Sequence, residues 1–211
     1  MLCLYQIWNL FHRRAESIMK TCLIEGGSEM EFKVVPMKEE YAREMINTWK
    51  YKGEYSIYDY SNEEEAKALL QKELWGKGKF AVLDEKKSLV GELTIECFEE
   101  IPDNSDDDGF VDIETIINNP NKVYEMWIGF GLRPNLTGKG LGKEFVQACV
   151  NFAVKHLNYK GEYVRLGVAA FNERAKKAYE KAGFEVFDTY NGEISGKKLK
   201  VLWMKKGVRG E

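Results

Sequence analysis

The sequence lacks several features that would assign it to a specialised class of protein. No uninterrupted apolar run approaches the roughly 20 residues that a membrane-spanning helix needs. The four cysteines include no Cys-x-x-Cys pair, so neither a zinc site nor a disulfide framework is indicated. The net charge of -3 argues against a protein whose main ligand is a nucleic-acid backbone. These absences predict a soluble protein of the reducing cytoplasm, with no metal and no membrane or nucleic-acid partner.

Length and composition favour one compact domain with appendages. A chain of 211 residues can bury a substantial core, and its 44% hydrophobic and 31% charged residues are ordinary for a globular protein. We expect the domain to span residues 30–206 and to carry a polar, acidic insertion at residues 99–121. The sequence leaves open whether the chain forms a homodimer.

Residues 1–29 do not fit this domain, and they lack the pattern of a signal peptide because the basic residues follow the apolar stretch. The run Glu25-Gly26-Gly27-Ser28-Glu29 suits the translation of a purine-rich ribosome-binding sequence, which would make Met30 the true start. The alternative is an amphipathic helix with Leu4, Trp8 and Phe11 on one face. Mass spectrometry of the native N-terminus separates the two hypotheses.

Hydrophobic periodicity predicts an α/β fold of the mixed α+β kind along the rest of the chain. Ser61 and Glu64 form a capping-box pattern, with Ser61 as the N-cap of a helix. One short helix is expected inside the insertion, around residues 113–118. The other helices are predicted at 39–49, 63–74, 141–158 and 173–182, and the strands at 31–36, 80–83, 89–98, 123–132, 163–168, 184–190 and 199–204.

A glycine-rich turn, Thr137-Gly138-Lys139-Gly140-Leu141-Gly142, lies between a predicted strand and a predicted helix. Such a turn presents several backbone N–H groups at the positive end of the helix, which suits a diphosphate. Its spacing fits neither a Walker A loop nor the Gly-x-Gly-x-x-Gly motif of dinucleotide-binding folds. The turn therefore predicts a phosphate-bearing ligand outside those two classes, the alternative being a tight loop with a solvated lysine.

The segment Leu132-x-Pro134-x-x-Thr137-Gly138-Lys139-Gly140-Leu141-Gly142 resembles the cofactor motif of the GNAT superfamily of N-acyltransferases. That motif is Val-x-Pro-x-x-(Gln/Arg)-x-x-Gly-x-(Gly/Ala), and Thr137 stands where Gln or Arg is usual. A second segment, Asn172 to Phe184, resembles the family pattern Asn-x-x-Ala-x-x-x-Tyr-x-x-x-Gly-Phe. The resemblance covers about residues 31–206 and implies a mostly antiparallel central sheet flanked by helices.

The resemblance implies acetyl-CoA as cosubstrate, without a metal, and direct attack by an amine. The residues expected to bind the cofactor are Leu132, Thr137, Gly138, Lys139, Gly140, Leu141, Gly142, Lys143 and Asn172. Leu132 and its neighbours would hydrogen-bond the pantetheine arm in a gap opened by Gly129 and Gly131, two residues that also tolerate a bulge. Helix capping explains Asn172 equally well, and exposed lysines are common at helix starts.

The resemblance also implies catalytic roles for two residues. Tyr179 is the candidate general acid that donates to the CoA sulfur, and the alternative is an aromatic side chain packed on the core. Glu125, the only carboxylate in the strand before the turn, is the candidate base, with Glu92 on the preceding strand in reserve. Cys149 lies on the apolar face of a helix and is expected in the core rather than as a nucleophile.

The acceptor is the least specified part of the reaction. Trp49, Tyr51, Tyr55, Tyr58, Asp59 and Tyr60 form an aromatic, partly acidic segment that suits an alkyl ammonium group or, alternatively, packs as a loop. A small amine or amino-acid-like molecule is the first expectation, and a protein N-terminus is the second. From another class, a non-catalytic acyl-CoA-binding or regulatory module would keep the fold without turnover.

Overall fold

The computed structural model describes residues 30–99, 109–194 and 197–208. From Phe32 onward the described chain forms one compact unit. The predicted N-terminal extension lies outside the described residues, as does most of the aspartate run in the insertion. None of the helices in these ranges is long and apolar enough to cross a lipid bilayer.

Eight strands and five α-helices are described, with three short 3-10 helices between them. The strands are β1 (Lys33–Pro36), β2 (Lys79–Leu83), β3 (Leu89–Phe98), β4 (Phe110–Val111), β5 (Glu125–Leu132), β6 (Tyr163–Ala169), β7 (Glu185–Ile194) and β8 (Lys197–Gly207). The helices are α1 (Glu39–Thr48), α2 (Glu63–Leu70), α3 (Ile113–Asn118), α4 (Gly142–His156) and α5 (Glu173–Lys181), and the 3-10 helices are Gly53–Tyr58, Lys72–Lys77 and Pro134–Leu136.

The strands form one sheet in the order β1-β2-β3-β5-β6-β8-β7, with β4 paired to β3. All described pairings are antiparallel except that between β5 and β6. The prediction of a mixed, mostly antiparallel sheet flanked by helices is therefore confirmed.

Helices cover the two faces of this sheet at different places. Paired residues of neighbouring strands share a face, and successive residues of one strand alternate between faces. On one face, Ala81 packs under α1 and α2 in a core cluster with Met45 and Trp49. On the other face, the Phe80 ring meets Phe152 of α4 at 5.1 Å. We call these the α1 face and the α4 face.

The parallel strands β5 and β6 separate after a short contact. They pair only at Met126 with Val164 and at Trp127 with Arg165, although β5 continues to Leu132 and β6 to Ala169. The β3 side of β5 stays paired throughout, without a register shift. Beyond Trp127 the backbone of β5 therefore has an open side toward β6, and we call this opening the splay.

Several local details differ from the sequence-based expectations. The N-cap of α2 is Asn62 rather than Ser61, since the Asn62 side chain accepts a hydrogen bond from the Glu64 N–H at 2.8 Å. This helix ends at Leu70 and is followed by a 3-10 helix instead of running to residue 74. The bulge allowed at Gly129 and Gly131 is not formed. The short helix expected in the insertion is confirmed at Ile113–Asn118.

Candidate active site

The glycine-rich turn joins the end of the splay to the start of α4. Gly138 and Gly140 adopt φ values of 76° and 84°, which only glycine adopts readily, and a Cβ at either position would meet open space. No side chain caps α4, and its first backbone hydrogen bond runs from the Phe145 N–H to the Leu141 carbonyl at 3.0 Å. The backbone N–H groups of residues 142–144, in the first turn of α4, are thus available to an anion at the positive helix end.

Gly142 has a different reason to be glycine. A Cβ at this position would lie 2.7 Å from the Cβ of Ala178 on α5. The absence of a side chain lets the start of α4 approach α5 closely, and α5 carries Asn172 at its N-cap and Tyr179 two turns later. Gly142 therefore sets the distance between the turn and the residues of α5.

Two lysines add positive charge to the turn. Lys139 is exposed and Lys143 is half-buried. Within the described ranges neither forms an ion pair. Both charges therefore lie uncompensated beside the glycine-rich turn, and their role in binding a cofactor stays a prediction.

Asn172 serves as the N-cap of α5, because its side-chain oxygen accepts from the Ala175 N–H at 3.2 Å. The same side chain hydrogen-bonds Tyr58, which opposes the rise in the pKa of that phenol caused by burial. The capping interpretation of Asn172 is confirmed. A role toward a cofactor stays a prediction.

Tyr179 lies half-buried on the α4 face, on the inner side of α5. Its ring packs 5.7 Å from that of Phe130 in the splayed part of β5 and 6.1 Å from that of Phe184. Burial raises the pKa of its phenol above the usual value, which keeps the hydroxyl protonated at neutral pH. Within the described part of the chain the hydroxyl makes no hydrogen bond, so its proton is available to a ligand.

Glu92 lies on the α1 face, where it pairs with Gly131 across β3 and β5. A Cβ on Gly131 would meet the Glu92 Oε1 at 2.5 Å, so this glycine makes room for the carboxylate. The Tyr60 hydroxyl donates to the two carboxylate oxygens, each 2.7 Å away. Burial raises the pKa of Glu92, although the Tyr60 hydrogen bond and the charge of Lys79 act in the opposite direction.

Glu125 is not brought together with these groups. It begins β5, six residues before Gly131, which corresponds to about 20 Å along a strand. Its carboxylate forms an ion pair with Arg165 at 2.8 Å, and its side chain is 43% exposed. Of the two carboxylates that the sequence analysis considers as bases, the structure places Glu92 beside the splay and Glu125 at the far end of the strand.

Tyr51 connects the segment after α1 to the end of β5. Its hydroxyl donates to the Leu132 carbonyl at 2.9 Å, and its N–H donates to the Asp59 Oδ1 at 2.7 Å. Its pKa is raised by burial first and then by the charges of Glu92 and Asp59. Tyr51 therefore fixes the end of β5 next to the Glu92 carboxylate.

The aromatic segment predicted as a binding wall divides into three parts. Trp49 is only 1% exposed and belongs to the core cluster under α1 and α2. Tyr51 and Tyr60 surround Glu92, whereas Tyr55 and Tyr58 pack against Phe171 before α5, at 5.8 and 6.3 Å between ring centroids. Packing therefore accounts for Trp49, Tyr55 and Tyr58, and a binding role for Tyr51 and Tyr60 stays a prediction.

Cys149 is fully buried on α4, and burial raises the pKa of its thiol, which leaves it inert as a nucleophile. The core assignment of Cys149 is confirmed. Across the ranges described, no group of three His, Cys, Asp or Glu side chains is arranged to hold a metal ion.

Tyr60 and Tyr51 are the side chains beside Glu92 and the splay whose contacts the sequence did not specify. Each contacts a partner far along the chain, at Glu92 and Leu132. Only the register of the sheet brings these partners together, so no local pattern could have found the pairs.

Comparisons with known proteins agree with this geometry. A family model for the acetyltransferase (GNAT) domain matches residues 32–185. No curated protein matches the chain.

Solved structures share the fold at low sequence identity. A spermidine N-acetyltransferase from Vibrio cholerae, in complex with CoA and spermine, is 18% identical and has a TM-score of 0.58, with 83% of this chain and 95% of that chain covered. A chimera of the spermidine N-acetyltransferase SpeG from Vibrio cholerae with hSSAT is 19% identical and has a TM-score of 0.59, with 83% of this chain and 95% of that chain covered. A GNAT-family acetyltransferase from Bacillus anthracis is 13% identical and has a TM-score of 0.54, with 84% of this chain and 95% of that chain covered. At these identities the likeness concerns the fold.

Proposed function

Because the chain belongs to the GNAT family of acetyltransferases, we propose that it transfers the acetyl group of acetyl-CoA to the primary amine of a small acceptor. The amine attacks the thioester carbonyl directly, the C–S bond breaks, and the products are an N-acetyl amide and CoA thiol. No covalent intermediate on the protein is needed.

One observation supports this proposal above the others. Tyr179, on the α4 face, packs on Phe130, and Glu92, on the α1 face, lies over the next residue of β5, Gly131. Successive residues of a strand point to opposite faces, so the two groups flank the splay from its two sides. A thioester lying in the splay would have a proton acceptor on one side and a proton donor on the other.

The donor would enter from the glycine-rich turn. Its diphosphate would bind the N–H groups of residues 138–143, with Lys139 and Lys143 adding charge. The pantetheine arm would pair with the open side of β5 near Leu132, in the manner of an added strand. The open backbone of the splay, rather than the spaces at Gly129 and Gly131, supplies the gap for this arm.

Glu92 suits the role of base better than Glu125. An amine acceptor reaches the site as an ammonium ion and must lose a proton before attack. A carboxylate with a raised pKa is a stronger base than an ordinary one, and burial raises the pKa of Glu92. Glu125 is half-buried, has a cationic partner in Arg165 and lies about 20 Å along the strand from Gly131, the residue that Glu92 faces.

Tyr179 would donate to the departing sulfur. Its phenol stays protonated because burial raises its pKa, and its hydroxyl has no competing partner within the described residues. This role extends the packing role that its contacts with Phe130 and Phe184 already give it.

A small, cationic amine is the acceptor that the surroundings of Glu92 favour. Carboxylates from Glu92 and Asp59 and the rings of Tyr51 and Tyr60 converge on the α1 face of the splay. Such a mixture attracts an ammonium group by charge and by cation-π contact. The Vibrio cholerae relative was crystallised with a polyamine, which agrees with this acceptor class.

A thiol-release assay tests the proposal. Acetyl-CoA is incubated with a panel of polyamines, amino acids, aminoglycosides and short peptides, and free CoA thiol is measured. We expect release only when a small primary amine is present. Saturation with acetyl-CoA at 100 times Kd should also add roughly 2.7 kcal/mol to the free energy of unfolding. Stabilisation without release for any amine would favour the non-catalytic module, and turnover of peptides alone would favour a protein N-terminus.

A further inference from the structure

The side chain at position 137 leaves a space beside the glycine-rich turn. Thr137 is short, and its hydroxyl donates to the Pro134 carbonyl at 2.8 Å within the 3-10 helix. It therefore supplies neither a positive charge nor a long hydrogen-bonding group to a ligand at the turn.

A guanidinium from another element reaches this space. The Arg174 Nη1 lies 3.5 Å from the Thr137 Oγ1, although the two residues are 37 positions apart. Arg174 belongs to the first turn of α5, whose approach to α4 depends on Gly142. The packing of the two helices thus delivers a cation to the mouth of the turn.

An aromatic ring supports this guanidinium. The Arg174 Cζ lies 3.8 Å from the centre of the Tyr55 ring, and Tyr55 in turn packs on Phe171. Tyr58 packs on the same phenylalanine from the same 3-10 helix. Stacking on an aromatic face restricts a guanidinium without using its N–H donors, so the donors that do not point at Thr137 stay available to a ligand.

The charge of Arg174 is not balanced by a carboxylate. Among the described residues Arg174 forms no ion pair, and its neighbour Glu173 lies 4.0 Å from Lys176 instead. A planar guanidinium donates two parallel hydrogen bonds to a phosphate group, which a lysine ammonium cannot do. Unlike Lys139 and Lys143, Arg174 combines a fork of donors with an aromatic support.

We propose that Arg174 binds the pyrophosphate of the acyl donor from α5, and that Tyr55 positions its guanidinium beside Thr137. The proposal rests on the proposed function, since it names a further residue of the same donor site. The proposal also explains why a short side chain suits position 137, because a long one would occupy the space into which Arg174 reaches.

Donors of different length test this assignment. Acetyl-CoA and acetyl-dephospho-CoA both carry the pyrophosphate, whereas S-acetylpantetheine carries none. For Arg174→Ala we expect kcat/KM to fall roughly 10- to 100-fold with the first two donors and to stay unchanged with S-acetylpantetheine. Arg174→Lys should lose less, because it keeps the charge without the fork. Loss with acetyl-CoA alone would instead assign Arg174 to the 3′-phosphate and overturn the proposal.

Two further variants examine how the charge is positioned. Tyr55→Leu should cost roughly two- to fivefold with the same two donors and nothing with S-acetylpantetheine. Thr137→Arg in the Arg174→Ala background should recover most of the lost kcat/KM, because the cation then returns from the other side of the same space. An equal loss with all three donors for Arg174→Ala would mean that the residue supports the fold of α5 and not the pyrophosphate.

Lys181→Ala is the matched control, since it removes an exposed cation from the last turn of the same helix. It should leave kcat/KM unchanged with every donor, and thermal unfolding without ligand should show all variants folded. Calorimetric titration with CoA separates this proposal from the proposed function. If the unsubstituted protein binds no CoA, the proposed function fails. If it binds CoA and Arg174→Ala binds it equally well, only the assignment of Arg174 fails.

Discussion

The proposed donor side and the proposed acceptor side of the splay are built in different ways. The donor side consists of residues 137–143 and the start of α5, and its chemistry comes from backbone N–H groups at a helix start. The acceptor side consists of Tyr51, Asp59, Tyr60 and Glu92, and its chemistry comes from side chains of separate elements. The residues of the glycine-rich turn on the donor side are close together in sequence. The residues of the acceptor side come together only once the sheet has formed.

This difference has consequences for substrate choice. A site made of backbone groups and glycines accepts few changes of sequence and keeps its ligand. A site made of side chains on loops can change its ligand through single substitutions. We therefore expect the choice of donor to be hard to change and the choice of acceptor to depend on single side chains such as that of Tyr60.

The largest expected effect lies where the two sides meet. Tyr179→Phe removes the hydroxyl that we propose donates to the departing sulfur, and it keeps the ring that packs on Phe130. We expect kcat to fall by on the order of 10² to 10⁴, with little change in the KM of either substrate. Tyr41→Phe, a change at the core cluster under α1 and α2, serves as control. An unaffected kcat would limit Tyr179 to its packing role.

Glu92→Gln tests the acceptor side and should be compared with Glu125→Gln. We expect kcat/KM for the amine to fall on the order of 10²-fold in the first variant and to change little in the second. In the unsubstituted protein the rate should rise with pH through the raised pKa of Glu92, and Glu92→Gln should lose this limb. A pH–rate profile of each variant decides the matter. Loss in Glu125→Gln alone would restore Glu125 as the base.

The sequence was most informative on the donor side. The glycine-rich turn, the start of α4 and the cap at Asn172 were predictable because each depends on residues a few positions apart. Glu92 could not be preferred over Glu125 from sequence, since the choice depends on which residue of β3 pairs with Gly131. Ser61 and Asn62 are both good N-caps, so only the formed helix distinguishes them.

A substitution at Gly142 tests whether the donor side depends on close helix packing. Gly142→Ala would place a Cβ 2.7 Å from that of Ala178 and push α5 away from the turn. We expect about 1–3 kcal/mol of lost stability and roughly a tenfold higher KM for acetyl-CoA. Gly207→Ala, where a Cβ meets open space, is the control. Equal KM values with both variants would show that α4 and α5 need not be this close.

Tyr60→Phe tests the acceptor side through the pH dependence of the rate. The Tyr60 hydrogen bond lowers the pKa of Glu92, so its removal should raise that pKa further. The rising limb of the pH–rate profile should therefore move to higher pH, with activity recovered there. An unmoved limb would mean that the limb does not report the protonation of Glu92.

The smallest expected effect concerns stability. The pKa of Glu92 is raised in the folded protein, so between its unfolded and folded values the folded state binds more protons and stability falls as pH rises. Glu92→Gln has no such cost and should melt a few degrees higher than the unsubstituted protein at neutral pH. The difference in Tm should shrink below the unfolded pKa of about 4.3. A lower Tm at neutral pH would indicate that the charged carboxylate stabilises the fold.

The transfer of acetyl to a small amine is the central claim, and mass analysis of the products tests it most directly. Acetyl-CoA labelled in the acetyl group is incubated with the protein and a mixture of small primary amines. The account predicts a labelled N-acetyl amine formed in equal amount to the released CoA thiol, and no labelled protein. A labelled protein, or bound acetyl-CoA that yields no acetylated amine, would contradict it.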